Sequence, residues 1–194
     1  MLEGQYYKEE LTVSAAEANT HSLVVVLPVV IIYTIPYLLL WPEQFSLPAL
    51  QRFVSFYQVR SVQFPFLMLL AFVVGAIAHE LLHGLTWAAF CKRGVKSITY
   101  GMHWRQLSPY CHCQELLPLN AYRLGTIMPG LVLGLLPALV GLLLGHLMLF
   151  LFGLCFTLAA ASDFFGLWQL RNAKATDLVQ DHPEKIGCFV YRKV

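Results

Sequence analysis

Charged residues are scarce in this sequence. Asp, Glu, Lys and Arg make up 12% of its 194 residues, whereas 58% of the residues are hydrophobic. A soluble domain carries about 25% charged residues, so the composition excludes an ordinary soluble domain and predicts a single membrane domain, residues 1–194. The net charge of +2 comes without a long basic run, which argues against nucleic acid as a partner.

The sequence also lacks a secretory signal and a disulfide framework. Met1 to Asn19 contains four glutamates and one lysine, whereas a signal peptide begins with a basic segment and continues at once into a short apolar one. We therefore expect the first apolar segment to stay in the mature protein. The five cysteines are odd in number and scattered, which predicts reduced thiols rather than the paired cysteines of a small secreted domain.

Long apolar stretches dominate the rest of the chain. Four of them are long enough to span a bilayer, for which a helix needs about 20 mainly apolar residues, and they cover residues 23–41, 64–90, 124–144 and 147–170. Gly145 separates the last two, which predicts a tight hairpin, because one continuous helix from Leu124 to Ala161 would already be about 57 Å long and would exceed a hydrocarbon core of about 30 Å. The sequence thus predicts an all-α integral membrane protein with four transmembrane helices, of which the last three form the core.

Lys and Arg are distributed unevenly between the connections. Eleven of the thirteen lie in the N-terminal segment, the connection 91–123 or the tail 171–194. Because cytosolic loops are enriched in these residues, the pattern predicts a cytosolic loop 91–123 and cytosolic N- and C-termini. Residues 96–104 contain β-branched and aromatic side chains, which predict a short β hairpin or extended loop at the membrane surface.

The second apolar stretch contains a His-Glu-x-x-His motif. His79 and His83 are four residues apart, so on a helix both imidazoles lie on one face, one turn apart, where their nitrogens can bind one zinc ion. Glu80 stands beside them and can accept a proton from a water that the metal activates. A chance match is the alternative, but a charged group in a bilayer core costs about 2.5–3.5 kcal/mol, and a metal ion offsets that cost directly.

A catalytic zinc ion takes three protein ligands and keeps one position for water. Asp163 is the only acidic residue in the other three apolar stretches, and it is expected at the same depth as His83, about 10 Å inside the cytosolic boundary. These features make Asp163 the expected third ligand, with a cap or an ion pair to Arg171 as the structural alternative. The other candidates for the third position are Glu115, His103 and His112.

The segment Pro109–Glu115 brings two cysteines and a histidine close together. Such a cluster could in principle bind a second metal ion. Structural zinc sites usually combine two separated ligand pairs, and the sequence offers one cluster here. The sequence therefore favours a loop without a metal.

The His79-to-His83 motif together with Asp163 resembles the site-2 protease family of intramembrane zinc metalloproteases. The chain is still more similar to a family of short bacterial membrane proteins, zincin peptidases of unknown function. The further segments that carry this resemblance are Pro109–Glu115, Tyr122-Arg123, Met128-Pro129-Gly130 and Asp181-His182-Pro183. The resemblance implies His79, His83 and Asp163 as zinc ligands, Glu80 as the catalytic base, and a location in the bacterial inner membrane.

These observations predict one zinc ion per chain and a zinc-dependent intramembrane metallopeptidase. Its expected partners are a membrane-embedded or membrane-proximal protein substrate and the lipid bilayer. A non-catalytic metal-binding membrane scaffold, or a partner-binding protein, is the alternative, although a structural zinc site has no use for a base such as Glu80. A metal transporter would carry polar residues through the full depth of the membrane, and the outer halves of the apolar stretches are apolar.

Overall fold

The computed structural model describes residues 6–13, 15–104, 108–182 and 186–193. In chain order, these ranges contain β1 (Tyr6–Val13), α1 (Ala15–Leu40), α2 (Leu47–Val59), α3 (Gln63–Ala88), β2 (Ile98–His103), β3 (Ser108–Cys113), β4 (Leu117–Pro118), α4 (Leu119–Pro129), α5 (Leu136–Leu144), α6 (Leu147–Ala159), α7 (Ala161–Gln169), β5 (Leu178–Asp181) and β6 (Ile186–Lys193). A π-helical turn, Gly130–Leu135, joins α4 to α5.

The prediction of an all-α protein is wrong, because two antiparallel sheets lie beside the helices. The larger sheet has the strand order β1-β6-β5-β4, and the smaller one is the pair β2 and β3. β1 and β6 pair along their whole length, from Tyr6 opposite Lys193 to Val13 opposite Ile186. A strand makes its backbone hydrogen bonds with a neighbouring strand. The neighbour of β1 is β6, from the other end of the chain, and a local sequence pattern does not predict such a pairing.

The prediction of four transmembrane helices is also wrong. Among the described residues, two helices are long and apolar enough to cross a membrane, namely Gln63–Ala88 and Leu119–Leu144, the latter running through the π-helical turn. The predicted first span lies in α1, whose shorter apolar part, Val26–Leu40, is about 22 Å long at 1.5 Å per residue. In the described part of the chain, α1 therefore contributes a shorter apolar helix.

The predicted fourth span, residues 147–170, is broken. α6 and α7 meet at an angle of 41°, and they make a third crossing only if the bent pair acts as one span. At the bend, the Ala160 carbonyl accepts hydrogen bonds from the backbone N–H groups of Asp163 and Phe164, both at 3.1 Å. The bend therefore begins the turn of helix that carries Asp163.

A hairpin, predicted within residues 91–123, is present as β2 and β3. Its register pairs Ile98 with Cys113, and both strands contact α3. Gly84 on α3 permits this contact, because a Cβ at that position would collide with the Tyr100 hydroxyl. The hairpin therefore covers the part of α3 that carries the two histidines.

A tight turn joins α5 to α6, at the position that the sequence predicted. Gly145 adopts the left-handed conformation, with φ at 64°, which glycine accepts without steric cost. His146 caps α6 by accepting a hydrogen bond from the Leu149 backbone N–H at 3.2 Å. The Trp41 indole N–H donates to the Leu142 carbonyl at 2.7 Å, which fixes the end of α1 against the α5–α6 hairpin.

The main hydrophobic core lies where the strands meet the ends of the helices. Its buried members are Trp87, Ala88, Ile98, Cys113, Leu117, Leu119, Tyr122, Leu170, Val179, Cys188 and Val190. Burial of a large apolar side chain contributes about 1.5–3 kcal/mol. Because the members come from helices and strands alike, this core holds both sheets against α3 and α4.

Candidate functional site

α3 places His79 and His83 one turn apart on its buried face. Their ring centroids are 4.9 Å apart, and the two residues are only 9% and 5% exposed. The spacing of four residues produces this contact directly, since a helix repeats every 3.6 residues. As a result, the two Nε2 atoms lie 3.2 Å from each other.

α7 brings Asp163 to the same point from a distant part of the chain. Its Oδ2 lies 3.1 Å from Nε2 of His79 and 3.6 Å from Nε2 of His83. Within the described part of the chain, these residues form the one group of three or more His, Cys, Asp or Glu side chains whose ligand atoms all lie within 4.8 Å of one another. The structure thus brings together the three residues that the sequence analysis named as zinc ligands.

The hydrogen bonding of His83 determines which of its nitrogens can bind a metal ion. Nδ1 lies 2.8 Å from the backbone carbonyl oxygen of Gly125. A carbonyl can only accept, so Nδ1 carries the hydrogen and donates it. In the neutral ring Nε2 then carries a lone pair, which lies beside Nε2 of His79 and Oδ2 of Asp163. Metal-binding histidines commonly donate their second ring N–H in this way.

Pro129 explains why the Gly125 carbonyl is available to His83. In an α-helix the carbonyl of residue i accepts from the N–H of residue i+4, which for Gly125 is Pro129, and proline has no N–H. α4 ends at Pro129, and the π-helical turn follows. Gly125 also lets Trp87 approach, because a Cβ there would collide with the indole ring, which stacks on His83 with centroids 5.3 Å apart.

The donor set of these three residues fits zinc. Two imidazole nitrogens and one carboxylate oxygen, with a fourth position left for water, match the catalytic zinc sites of proteins. Nδ1 of His79 is buried and has no hydrogen-bond partner among the described residues. With its hydrogen on Nδ1, His79 would offer the Nε2 lone pair to a cation shared with Oδ2 of Asp163, which lies 3.1 Å from Nε2.

Glu80 lies beside the three ligand atoms and lines a cavity of about 340 Å³. Its carboxylate has a hydrogen-bonding interaction with the backbone N–H of Cys111 on β3. His83 and Asp163 line the same cavity. A water molecule and a substrate carbonyl in this cavity can therefore reach both the acidic side chain and the proposed metal ligands.

Glu115, a rival for the third ligand position, binds a different part of the chain. It accepts hydrogen bonds from the Ser97 hydroxyl and from the backbone N–H groups of Lys92 and Arg93, the last two at 2.9 and 3.1 Å. These bonds, with that from Ser97 the strongest, lower the pKa of Glu115 to about 2. Glu115 therefore ties the connection after α3 to the end of the hairpin.

His103 and His112, the other rivals, line the cavity without joining the ligand group. The His103 ring packs on Tyr110, with centroids 4.6 Å apart. Nδ1 of His112 lies 3.2 Å from Oδ2 of Asp181. The structure therefore gives each of these histidines a protein partner close to the site.

The cysteines of residues 111–113 belong to no group of three ligand side chains in the described ranges. Cys113 is buried, and its Sγ lies 3.5 Å from Sγ of Cys91. Burial raises the pKa of the Cys113 thiol to about 12, and that of Cys188 likewise. At neutral pH both thiols are therefore protonated, in keeping with the reduced cysteines that the sequence predicts.

Sequence reasoning missed Trp87 and Gly125. Trp87 stacks between His83 and Tyr122, with centroids 5.3 Å from each, and it follows His83 by four residues, so the helical repeat was the available signal. The sequence analysis named Tyr122 and Asp181 only as part of a family resemblance and assigned them no role. The structure joins them, because the Tyr122 hydroxyl donates to Oδ1 of Asp181 at 3.1 Å.

The sequence profile of a family described as "Putative zincin peptidase" matches residues 72–178, more than half of the chain. The chain belongs to this family. The matched region contains His79, Glu80, His83 and Asp163, and zincins bind zinc through a His-Glu-x-x-His helix. Family membership thus indicates a zinc metallopeptidase. No curated protein and no solved structure matches the chain.

Proposed function

We propose that this protein is a zinc-dependent peptidase that hydrolyses peptide bonds in or beside the membrane, as site-2 proteases do. The observation that carries the proposal is the convergence of His79, His83 and Asp163, the last two of which line one cavity together with Glu80. Membership in a zincin family supports the metal and the reaction. The membrane setting is supported by α3, a helix long enough to cross a bilayer, which carries three of the four residues.

Each residue of the site has a distinct part in this reaction. His79, His83 and Asp163 would hold one zinc ion, which when bound supplies the Lewis acid that activates water and polarises the scissile carbonyl. Glu80 accepts the proton of the attacking water and passes it to the leaving amine. The backbone N–H of Cys111 orients the Glu80 carboxylate for both transfers.

The site lies near the C-terminal end of α3. Ala88, where the helix ends, follows His83 by five residues, a rise of about 7.5 Å. The cavity walls include residues of β3 and β5 besides the helices. A peptide bond at the membrane boundary would therefore reach the site from the strand side, and we expect a membrane-embedded or membrane-proximal protein as the substrate.

We further propose that the protein lies in a bacterial inner membrane with both termini and residues 91–123 in the cytosol. The larger sheet joins β1, β4, β5 and β6, and hydrogen-bonded strands cannot lie on opposite sides of a bilayer. Lys96→Cys in intact cells tests the orientation. An impermeant maleimide should label it only after the cells are opened, and ready labelling from outside would reverse the orientation.

Glu80→Gln is the variant that separates an enzyme from a metal-binding scaffold. The amide keeps the shape of the side chain and removes the base, so zinc content should stay stoichiometric while turnover falls by at least about 10²-fold. Asp163→Ala should lose both, because it removes a ligand. Zinc is measured by elemental analysis of detergent-purified protein, and turnover with a membrane-tethered fluorogenic peptide.

Glu43→Gln provides the matched control, because it makes the same chemical change in the short helical turn Pro42–Phe45. It should leave zinc and turnover at wild-type levels. Absence of zinc from the wild-type protein would overturn the metal site. Full turnover in Glu80→Gln would make the non-catalytic scaffold the better account.

A further inference from the structure

Asp181 lines the same cavity as two of the proposed zinc ligands, and its carboxylate has three hydrogen-bond donors around it. Its Oδ1 accepts from the Tyr122 hydroxyl at 3.1 Å. Its Oδ2 lies 3.2 Å from Nδ1 of His112 and 3.4 Å from the backbone N of Cys113. A carboxylate only accepts, so Nδ1 of His112 carries a hydrogen and donates it to Asp181.

This hydrogen bond decides what His112 can offer to a substrate. Nδ1 is committed to Asp181, so Nε2, on the other side of the ring, is the nitrogen left for the cavity. The His112 side chain is 18% exposed and lines that cavity. When the ring carries a second proton, Nε2–H is a donor, and the Asp181 carboxylate offsets the positive charge.

One edge of β3 holds His112 next to the proposed base. In an antiparallel pair, alternate residues direct their N–H groups away from the partner strand. Two such groups on β3, those of Cys111 and Cys113, meet the carboxylates of Glu80 and Asp181. His112 lies between them, with its Cα about 3.8 Å from that of Cys111.

We infer that His112 is a further catalytic residue of this peptidase, whose Nε2–H donates a hydrogen bond to the scissile carbonyl oxygen as that oxygen becomes negatively charged. This inference rests on the proposed function. The electron pair of the attacking water forms the new bond to the carbonyl carbon, and the C=O π pair moves to the oxygen that His112 stabilises. No covalent bond to His112 forms or breaks. Asp181 is the positioning residue that holds the ring, and Tyr122 holds Asp181.

His112→Ala is the first test. Loss of one donor to such an oxygen lowers kcat by about 10²–10³-fold, and KM should change little, because the ground-state carbonyl is a weaker acceptor. His112→Gln, whose amide can still donate, should recover part of kcat. Asp181→Asn should lower kcat while zinc content stays stoichiometric. His146→Asn is the control, since it replaces a histidine at the α5–α6 turn with another good helix cap.

A binding measurement gives a readout independent of turnover. A phosphinic peptide carries the negative charge of the transition state, and an ordinary peptide of the same sequence does not. On zinc-loaded protein with the Glu80→Gln background, His112→Ala should weaken the phosphinic peptide by about 10²-fold and leave the ordinary peptide unchanged. Thermal unfolding of the same variants should show no large loss of stability.

The outcomes separate this inference from the proposed function. If the wild type shows zinc-dependent hydrolysis and His112→Ala has an unchanged kcat, the role of His112 is refuted and the proposed function still stands. Equal weakening of both peptides with a lower melting temperature in both His112 variants would also overturn it, because His112 would then merely tie β3 to β5. Absence of zinc-dependent hydrolysis and of phosphinic peptide binding in the wild type would remove both proposals.

Discussion

The two halves of α3 have similar hydrophobic sequences and different surroundings. In the first half, Phe66, Leu69 and Val74 are 63%, 62% and 56% exposed. The buried residues of the helix begin at its midpoint with Gly75, and the others, His79, His83, Gly84, Trp87 and Ala88, all lie in the second half. The first half needs only apolar character, because lipid would accept any apolar side chain there, whereas each buried position of the second half touches a particular partner.

The largest expected effect comes from removing a proposed metal ligand in the second half of α3. His79→Ala should abolish both zinc binding and hydrolysis, because it removes one of three ligands. Leu69→Ala, a comparable truncation in the first half, should change neither. Elemental analysis and turnover of the two purified variants measure the contrast, and stoichiometric zinc in His79→Ala would contradict the ligand set.

A second contrast concerns packing rather than ligation. Gly84→Ala places a methyl group where the Tyr100 hydroxyl and Ile98 lie, and such overpacking costs about 1–3 kcal/mol. The hairpin should shift from α3, with a lower melting temperature and lower turnover. Val74→Leu should be neutral. Adding Tyr100→Ala to Gly84→Ala should restore part of the stability, and a double variant no more stable than Gly84→Ala would argue against this contact.

A smaller effect is expected from the carbonyl that His83 uses. Pro129→Ala introduces a backbone N–H that can donate to the Gly125 carbonyl. That carbonyl would then accept from both the new N–H and His83, and its hydrogen bond with His83 Nδ1 should weaken. Loss of a supporting hydrogen bond to a metal ligand costs about 10–100-fold in metal affinity, and we expect the lower end. Pro137→Ala, in the same apolar helix, should leave zinc affinity unchanged. A competition titration with a chelator distinguishes the two, and equal affinities would show that the proline is not needed.

The smallest effect lies just beyond α3, at Glu115. Its hydrogen bonds lower its pKa from 4.5 to about 2, so the stability it contributes is fully present above pH 4.5 and is lost as the pH falls through 2. The wild-type melting temperature should therefore decrease over this window more than that of Glu115→Gln. Parallel melting curves from pH 6 to pH 2 test this, and identical slopes would mean that Glu115 contributes nothing.

Local patterns predicted the features that depend on neighbours in sequence. The contact of His79 with His83 follows from helical periodicity alone, and the turn at Gly145 follows from an apolar run too long for one crossing of the membrane. Asp163 was named because a carboxylate is costly among apolar residues and because its predicted depth in the membrane matched that of His83. That the structure places it 3.1 Å from His79 is information from tertiary structure.

The predictions that were wrong share a physical cause. Pairing of β1 with β6, and of both with β5, needs segments from the two ends of the chain, so an alternating pattern in eight residues could not show it. The length of an apolar run also does not reveal a bend, and Ala160 offers neither the proline nor the glycine that usually marks one. The predicted fourth span was wrong for this reason.

By itself, the sequence determined a membrane-type composition, a helix carrying two histidines and a glutamate, and one buried acid to accompany them, because these depend on residue chemistry and on the helical repeat. Only the tertiary structure decided that Asp163 meets the histidines, that the Gly125 carbonyl fixes His83, and that His112 and Asp181 share their cavity. Those contacts join residues from α3, α4, α7, β3 and β5, and their geometry exists only after the hydrophobic core has brought the helices and strands together.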